Sequence, residues 1–463
     1  IRSLATVDVV CYEDALVDRL NPIVMARPAY AITCASFRLV DWLREIEGRV
    51  PNLSLSGWVR PHLRAIQTED FDLPQWVLET LSPDRFESDS PLLLINARLI
   101  PSVHHFQSIM ALLSSPKTQI VSATNDAACP AVACIAPADR ATFLQSVHDN
   151  HAQILSDHQQ ENEWDDDSQP LPPQAAWVMA LEQAMAALPT MDSADASAEP
   201  LHLLQWPHDV VRHHMALMND HMQYRLAHGD YQQLQDGVFV APGVEIGQYS
   251  SIDTSEGPIL LEKNVNVGPF CYLSGPVWVG HGTRVIEHAS LKDGVSAGHT
   301  VKIGGEVEAS VIEPFSNKQH HGFLGHSYLG SWINLGAGTC NSDLKNTYGK
   351  INMQYPLGKV PTGMQFMGCI MGDYCKTAIN TGIFTGKVLG VCSMLYGFVT
   401  TNVPSFINYA RLFGQTTTLP PEVMISTQAR MFARRKVTQR EIDMQLIRDM
   451  FDLTREDREP IVE

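Results

Sequence analysis

The 463-residue chain has no Cys-x-x-Cys pair, and its nine cysteines show no metal-ligand spacing. That leaves no cysteine-based metal site and reads as reduced thiols of a cytoplasmic protein. No apolar run approaches the ~18 residues of a membrane span, which excludes a helical anchor. Positive charge is scarce: 33 Lys and Arg stand against 51 Asp and Glu, a formal net charge of −18. A nucleic acid or an anionic membrane is therefore excluded as the main partner, while a small anionic substrate stays open because one pocket can be locally basic. The chain opens on Ile1 with neither a methionine nor a charged-then-apolar leader pattern, which leaves its true start open. What the chain does have is 44% hydrophobic and 18% charged residues, enough core for about three domains of ~150 residues each.

Residues 1–150 alternate apolar runs with helical spacing. "TVDVVCY" (6–12), "PLLLINARLIP" (91–101) and "KTQIVSA" (117–123) predict strands, and "SFRLVDWLREIEG" (36–48) predicts a helix ending at Gly48. Strands alternating with helices predict an α/β layer with a mainly parallel sheet. Five acidic residues within 161–167 followed by a proline cluster read as a solvated loop or linker. "HDVVRHHMALMNDHMQYRLA" (208–227) predicts a connecting helix after Pro207. Its His213, His214 and His221 lack acidic partners at ligand spacing and read as a packed or solvated face, not as a metal site.

From Val238 the period changes to six. Aliphatic or small residues recur at Val267, Leu273, Val279, Val285, Leu291, Ala297, Ile303 and Ala309, then at Phe323, Leu329 and Leu335, then at Met371, Thr377, Ile383, Leu389 and Leu395. A six-residue period with small turn residues predicts a hexapeptide β-helix, in which each hexad gives one short strand and one corner and coils bury their faces on one another. Ala309 to Phe323 is fourteen residues instead of twelve, which predicts a two-residue bulge near Pro314–His321. Between Cys340 and Phe366 the inward aliphatics vanish, which predicts a long loop leaving the coil. Such loops are where sites are built. The tail, 420–463, has helical spacing and a basic stretch (Arg430, Arg434, Arg435, Lys436), suited to packing on a neighbour or covering the end of the β-helix.

Acyl transfer from a thioester needs a base for the acceptor's proton and donors for the developing oxyanion. His320 or His321, beside the break in the repeat, can be that base near neutral pH. Asn334 and Asn341 can orient the acceptor or the carbonyl, and Lys318, Arg284 and Lys302 can hold a phosphate.

"NKQHHGFLG" followed by "WINLGAGTCNSD" resembles the acetyltransferase half of the bifunctional enzyme family that makes UDP-N-acetylglucosamine. The likeness is closer still to a divergent bacterial branch of sugar nucleotidyltransferases with hexapeptide repeats. It is strong over about 236–400 and weak over 1–235. By position it implies His320 as catalytic base, Asn334 as a substrate-binding asparagine and Asn341 as the asparagine of the Cys-Asn motif. Phe323 and Ser342 fall where the family has tyrosines, which removes hydroxyls and aromatic surface from the sugar-phosphate contact. His321 and Lys345 stand beside these substrate positions. The resemblance further implies a left-handed β-helix, a homotrimer, and acetyl-CoA between neighbouring coils, with Ala378, Gly397 and nearby backbone as the wall.

For the N-terminal region the resemblance implies a nucleotidyltransferase-like α/β domain using UTP and Mg²⁺. Phosphoryl-type transfer needs a glycine-rich loop and carboxylates for the metal. "LNPIVMARPAYAIT" (20–33) occupies the place of the nucleotide loop without a Gly-x-Gly-Thr-Arg run. Asn96 and Arg98 stand where the metal-binding aspartate is expected. Arg27 survives as an Arg-Pro pair able to touch a phosphate.

The organisation expected is thus a nucleotidyltransferase-like domain over 1–200 with its acidic, proline-rich insertion, a connecting helix over 201–235, the β-helix over 236–405 and a helical extension over 406–463. Three functions fit it. The first is acetyl transfer from acetyl-CoA to an aminosugar phosphate in UDP-N-acetylglucosamine-type biosynthesis. The second is sugar-1-phosphate nucleotidyl transfer with a merely trimerising β-helix. The third is a degenerate regulatory protein that binds a nucleotide sugar.

Overall fold

A computed structural model describes residues 6–78, 89–161, 171–191 and 200–458. The chain divides into two units. The first comprises Ile1–Arg19, Arg27–Ile32 and Arg38–Gln205; the second comprises Leu20–Ala26, Thr33–Phe37 and Trp206–Glu463. Among the described residues no helix is long and apolar enough to cross a membrane.

The first unit is built on a five-stranded sheet of β1 (Val7–Tyr12), β2 (Leu53–Trp58), β3 (Leu92–Asn96), β4 (Gln119–Ala123) and β5 (Asp126–Ile135), in the order β2-β1-β3-β5-β4. β1 runs parallel to β2 and β3, while β5 is antiparallel to β3 and β4. The three expected strands are present, with the second ending at Asn96. Two more join them. β2 is half polar ("LSLSGW"), and β5 contains Pro130, which has no N–H to give the ladder; the β4–β5 register shifts there. Every residue of β3 is buried, as a continuous apolar run covered on both faces should be. The helices of this unit are α1 (Leu39–Arg49), α2 (Arg64–Phe71), α3 (Val103–Ser114), α4 (Pro137–Glu161) and α5 (Pro173–Ala186). Val10, Leu94, Ile135, Phe143 and Leu181 share the unit's core. The expected acidic, proline-rich linker lies mostly outside the described residues.

The second unit opens with α6 (Pro207–His228), whose Pro207 sits at the first helical position, where a missing N–H costs nothing. Two of its histidines are packed: His214 Nε2 lies 2.7 Å from the Gly294 carbonyl, and His221 Nδ1 accepts from the Ser36 amide at 3.3 Å. The segment Thr33–Phe37 is tied into this unit by a buried carboxylate. Glu313, 1% exposed, accepts from the Thr33 amide and hydroxyl, each at 2.9 Å, and from the Tyr328 hydroxyl at 2.8 Å.

Three-sided coils follow, their strands parallel along each face, with an antiparallel strand added at the start (Gln232–Gln235) and at the end (Gln415–Thr418). One face begins with Val238–Val240 and Ile259–Leu261, a second with Glu245–Ile246 and Asn266–Val267, a third with Ser251–Asp253 and Tyr272–Ser274. Val267, Leu273, Val279, Val285, Leu291, Ala297 and Ile303 all lie in the interior, as their six-residue period requires. Beyond Ile303 the expected phase is wrong. The next inward residue is Val307, only four positions on, because Gly304 and Gly305 make a shortened corner, with Gly305 at φ +67°. A Cβ at Gly305 would stand 2.7 Å from the His320 carbonyl oxygen, so the corner needs glycine. Ile312, Lys318, Leu324, Leu329 and Leu335 then succeed it inward. Ala309 is a corner residue at φ +46°, and Phe323 faces outward with Leu324 inside. The irregularity is therefore a set of shortened corners, two residues short at Gly304–Gly305 and one short in each of the steps Val307 to Ile312 and Leu324 to Leu329, not a bulge near Pro314–His321.

The excursion after Cys340 is confirmed: Tyr328 pairs with Ile370, and the intervening chain forms a hairpin of Asn352–Tyr355 with Gly358–Pro361. Strand pairing continues through Ile407–Ala410 to Gln415–Thr418. Three helices end the described residues, α7 (Pro421–Arg434), α8 (Glu441–Leu453) and the short α9 (Arg455–Arg458). The first two pack on the β-helix of their own chain: Phe432 meets Trp332 at 4.4 Å between ring centroids, and Phe451 meets Phe406 at 5.2 Å.

Candidate functional site

The corner joining the second and third faces at Lys318–Phe323 carries the two adjacent histidines. Lys318 falls at an inward position and is 2% exposed. Its Nζ donates to the Gly304 carbonyl at 3.0 Å and the His320 carbonyl at 2.7 Å. Burial lowers its pKa to about 8. Lys318 thus fixes the backbone of the histidine corner from within and does not present its ammonium to a phosphate. Gly322, at φ +125°, is required here, since a Cβ would lie 2.1 Å from the Thr339 carbonyl oxygen. The His320 ring is exposed; the Gln319 side-chain amide donates to its Nε2 at 3.0 Å, which marks Nε2 as a lone-pair position. His321 is exposed, and its carbonyl accepts from the Gly338 amide at 3.1 Å.

Asn334 is exposed on the second face, and its carbonyl oxygen accepts from the Asn317 amide at 3.3 Å. Asn341 is different. It occupies an inward position, 5% exposed, accepts from the Gly325 amide at 2.9 Å and donates to the Gly325 carbonyl at 3.0 Å and to Ser327 Oγ at 3.2 Å. Its polar atoms hold successive coils together. Asn341→Ala is expected to cost about 1–3 kcal/mol by stranding these partners, read as a lower denaturation midpoint; a changed acceptor KM at unchanged stability would count against this role.

The remaining expected residues fall around this corner. Phe323, whose amide donates to Cys340 Sγ at 3.3 Å, lies half-buried on the third face. Ser342 Oγ contacts Thr385 Oγ1 at 2.8 Å, and Lys345 Nζ donates to the Lys350 carbonyl within the excursion. Ala378 lies so close to Gly336 that a Cβ there would meet its carbonyl carbon at 2.6 Å. Gly397 turns at φ +71°, its carbonyl accepting from Gly382 at 3.0 Å, beside the exposed rings of Phe384 and Phe398. Arg284 and Lys302 stand on the second face in direct register with each other.

One cluster escaped sequence reasoning. Glu308, His326 and Asp343 come from consecutive coils of the third face, their ligand atoms all within 4.8 Å of one another. His326 Nδ1 lies 2.9 Å from Asp343 Oδ2, Phe366 stacks on its ring at 5.1 Å, and Lys292 Nζ is 3.3 Å from Glu308 Oε2. This is the one group among the described residues whose donors converge as a metal's ligands would. Its signal was the spacing, one coil's length from Glu308 to His326 and again to Asp343.

In the first unit, Arg27 is buried. At the end of β3, Asn96 and Arg98 close on Asp14, which follows β1. Arg98 Nε donates to Asp14 Oδ1 at 2.8 Å and Nη2 to Oδ2 at 2.5 Å, while Asn96 Nδ2 donates to Oδ2 at 2.8 Å. The paired side chains are 0% and 1% exposed. Nearby, Glu13 accepts from the Arg60 guanidinium and the Ala29 amide. The residues present do not fit Mg²⁺ at this strand end, because the guanidinium of Arg98 takes both oxygens of the carboxylate a cation would need.

An α/β nucleotidyltransferase-like unit followed by a parallel hexapeptide β-helix with a histidine corner defines the class of protein. Residues 9–226 match the family described as "Sugar nucleotidyl transferase". Part of the chain is similar to bifunctional GlmU proteins. It is 33% identical to "Bifunctional protein GlmU" of Ralstonia pickettii over 115 residues, 24% of each chain, and 31% identical to that of Alkalilimnicola ehrlichii over 165 residues, 27% of this chain and 35% of the relative. It is 29% identical to the "Bifunctional sugar-1-phosphate nucleotidylyltransferase/acetyltransferase" of Sulfurisphaera tokodaii over 97 residues, 20% of this chain and 24% of the relative. The match thus spans about a quarter to a third of these relatives' length. Among solved structures, Francisella novicida UDP-N-acetylglucosamine acyltransferase is 14% identical with a TM-score of 0.21, covering 48% of this chain and 87% of its own; that likeness carries no weight here.

Proposed function

We propose that the chain is a transferase of nucleotide-sugar biosynthesis whose β-helix moves an acetyl group from acetyl-CoA to the amine of an aminosugar phosphate. The carrying observation is the histidine corner: the His320 ring stands exposed on a backbone clamped from inside by Lys318, and its Nε2 lone pair, which accepts from the Gln319 amide, is the position an acceptor would take over. In the step itself the acceptor nitrogen attacks the thioester carbonyl as His320 Nε2 takes its proton. The C–N bond forms, the C–S bond breaks, and the coenzyme thiolate leaves and is protonated. Asn334, exposed beside the corner, orients the acceptor, and the wall around Ala378 and Gly397 receives the acyl-CoA of a trimeric, cytoplasmic protein. The N-terminal unit binds the nucleotide or sugar phosphate without a strand-end divalent cation.

Thiol release from acetyl-CoA with glucosamine-1-phosphate and a panel of aminosugars tests this. Wild type should turn over, and His320→Ala should lower kcat about a hundredfold or more, the scale of a lost general base, with His321→Ala close to wild type. Folded wild type that is inert with every acceptor, or a His320→Ala variant of undiminished rate, would sink the reading.

A further inference from the structure

The second face of the β-helix carries positive charge that its own surroundings do not neutralise. Arg284, Lys302 and Asn317 occupy successive register positions on adjacent coils, and Asn334 continues the row. All four point outward, since their chain neighbours Val285, Ile303, Lys318 and Leu335 fill the interior. Arg435, just past α7, donates through Nη2 to the Asn317 side-chain oxygen, which lays its guanidinium over this row, and Arg434 precedes it. Among the described residues, none of Arg284, Lys302, Arg434 and Arg435 forms an ion pair with a carboxylate. Burial, then Arg435, Arg434 and Arg284 in turn, push the Lys302 ammonium below its ordinary range, so Lys302 feels the other three charges.

Converging cations repel and destabilise the fold that gathers them, and the rest of this chain is strongly acidic. A cluster kept under these conditions is suited to a multiply charged anion. Guanidinium forks match phosphate oxygens two at a time, and an ammonium adds a point charge. We propose that Arg284, Lys302, Arg434 and Arg435 form a binding site for the phosphate groups of a small phosphorylated ligand. The C-terminal helical extension is thereby part of a ligand site. The inference deepens the acyl-transfer reading and rests on it for the two sources of phosphate, the nucleotide end of coenzyme A and the aminosugar phosphate, because Asn334 belongs to the same row.

Titration calorimetry of the full chain with inorganic pyrophosphate, coenzyme A, dephospho-coenzyme A and glucosamine-1-phosphate is the test, on wild type, Lys302→Gln and Arg434→Gln/Arg435→Gln. Pyrophosphate and one of the two natural sources should bind wild type, and each neutralising variant should bind them at least about tenfold more weakly, the worth of a charged hydrogen bond. The melting temperature of each variant should be equal or higher, since a repulsion is removed. Loss confined to coenzyme A identifies the coenzyme, with dephospho-coenzyme A separating its 3′-phosphate from its diphosphate; loss confined to glucosamine-1-phosphate identifies the acceptor. Failure of every phosphate to bind folded wild type, or equal affinity in the variants, overturns the site. Thiol release with unchanged KM for both substrates in the variants would also overturn it while leaving the acyl-transfer reading intact. Phosphate binding that the variants lose, in protein that never releases thiol, would keep the site and sink that reading.

Discussion

Arg98→Ala should cost the first unit about 3–5 kcal/mol at pH 7, the loss expected when one member of a buried ion pair is removed and the other is stranded. Both side chains are closed to water, and Arg98 also donates to the Leu204 carbonyl at 2.8 Å, so nothing else reaches Asp14 as a substitute charge. Burial pushes the Asp14 pKa up, but the hydrogen bonds and charge of Arg98, with Asn96, outweigh it, and the net shift is downward. A folded pKa below the unfolded one stabilises above the unfolded value, near 3.9, and that stabilisation is lost as pH falls from there through the lower folded value. In Arg98→Ala the sign inverts: the stranded carboxyl is raised, so the deficit should be largest at pH 7 and shrink towards pH 4 as Asp14 takes up a proton. Urea unfolding at both values checks this. The paired change Asp14→Leu/Arg98→Met should recover most of the loss, because two apolar groups leave no orphan. A deficit below about 1 kcal/mol, or one independent of pH, would mean that Asp14 finds water and that the strand end is open to a cation after all.

Lys318→Met should flatten the alkaline arm of the stability curve. The folded lysine gives up its proton near pH 8, whereas an unfolded one holds it to about 10.5. Between those values the unfolded chain binds more protons, so wild-type stability rises with pH across the window. The rise amounts to about 3 kcal/mol at most, since one pKa unit is about 1.4 kcal/mol. Methionine fills the same interior space without titrating, so the variant's stability relative to wild type should fall steadily from pH 7.5 to 10.5. Contributions common to both proteins, such as that of Lys376, cancel in this difference. Parallel curves would place the Lys318 amine in water. The same variant loses the donor to the His320 carbonyl, so acetyl transfer should weaken even where stability does not.

The hexad period made the β-helix legible up to Ile303, because each inward aliphatic declares itself at a fixed interval. It misled where the interval changed. The shortened steps from Ile303 to Ile312 put Lys318 inside, the short step from Leu324 to Leu329 left Phe323 outside, and Asn341 keeps the six-residue interval from Leu335, so two residues that looked like substrate holders serve the scaffold. Polar residues at inward positions are invisible to a rule that tracks apolar ones. His320 and Asn334 could be picked out because their motif is contiguous. The Asp14–Arg98 pair could not: 84 positions separate its partners, and only the β1–β3 pairing brings them together. Glu308, His326 and Asp343 fall between these cases, since coil spacing links them but no local motif does.

The bond between Thr33 and Glu313 bears on how this chain can be divided. A cut before Trp206 would appear to separate two modules, yet it would remove Leu20–Ala26 and Thr33–Phe37 from the half they pack with. The isolated β-helix would keep the Glu313 carboxylate with Tyr328 and lose both Thr33 donors. Cloned apart, the halves would be complementing fragments, each carrying a scar shaped like the other. Shuffling of such halves between genes is correspondingly constrained: a recombination point at the domain border splits a structural unit that the linear gene order conceals.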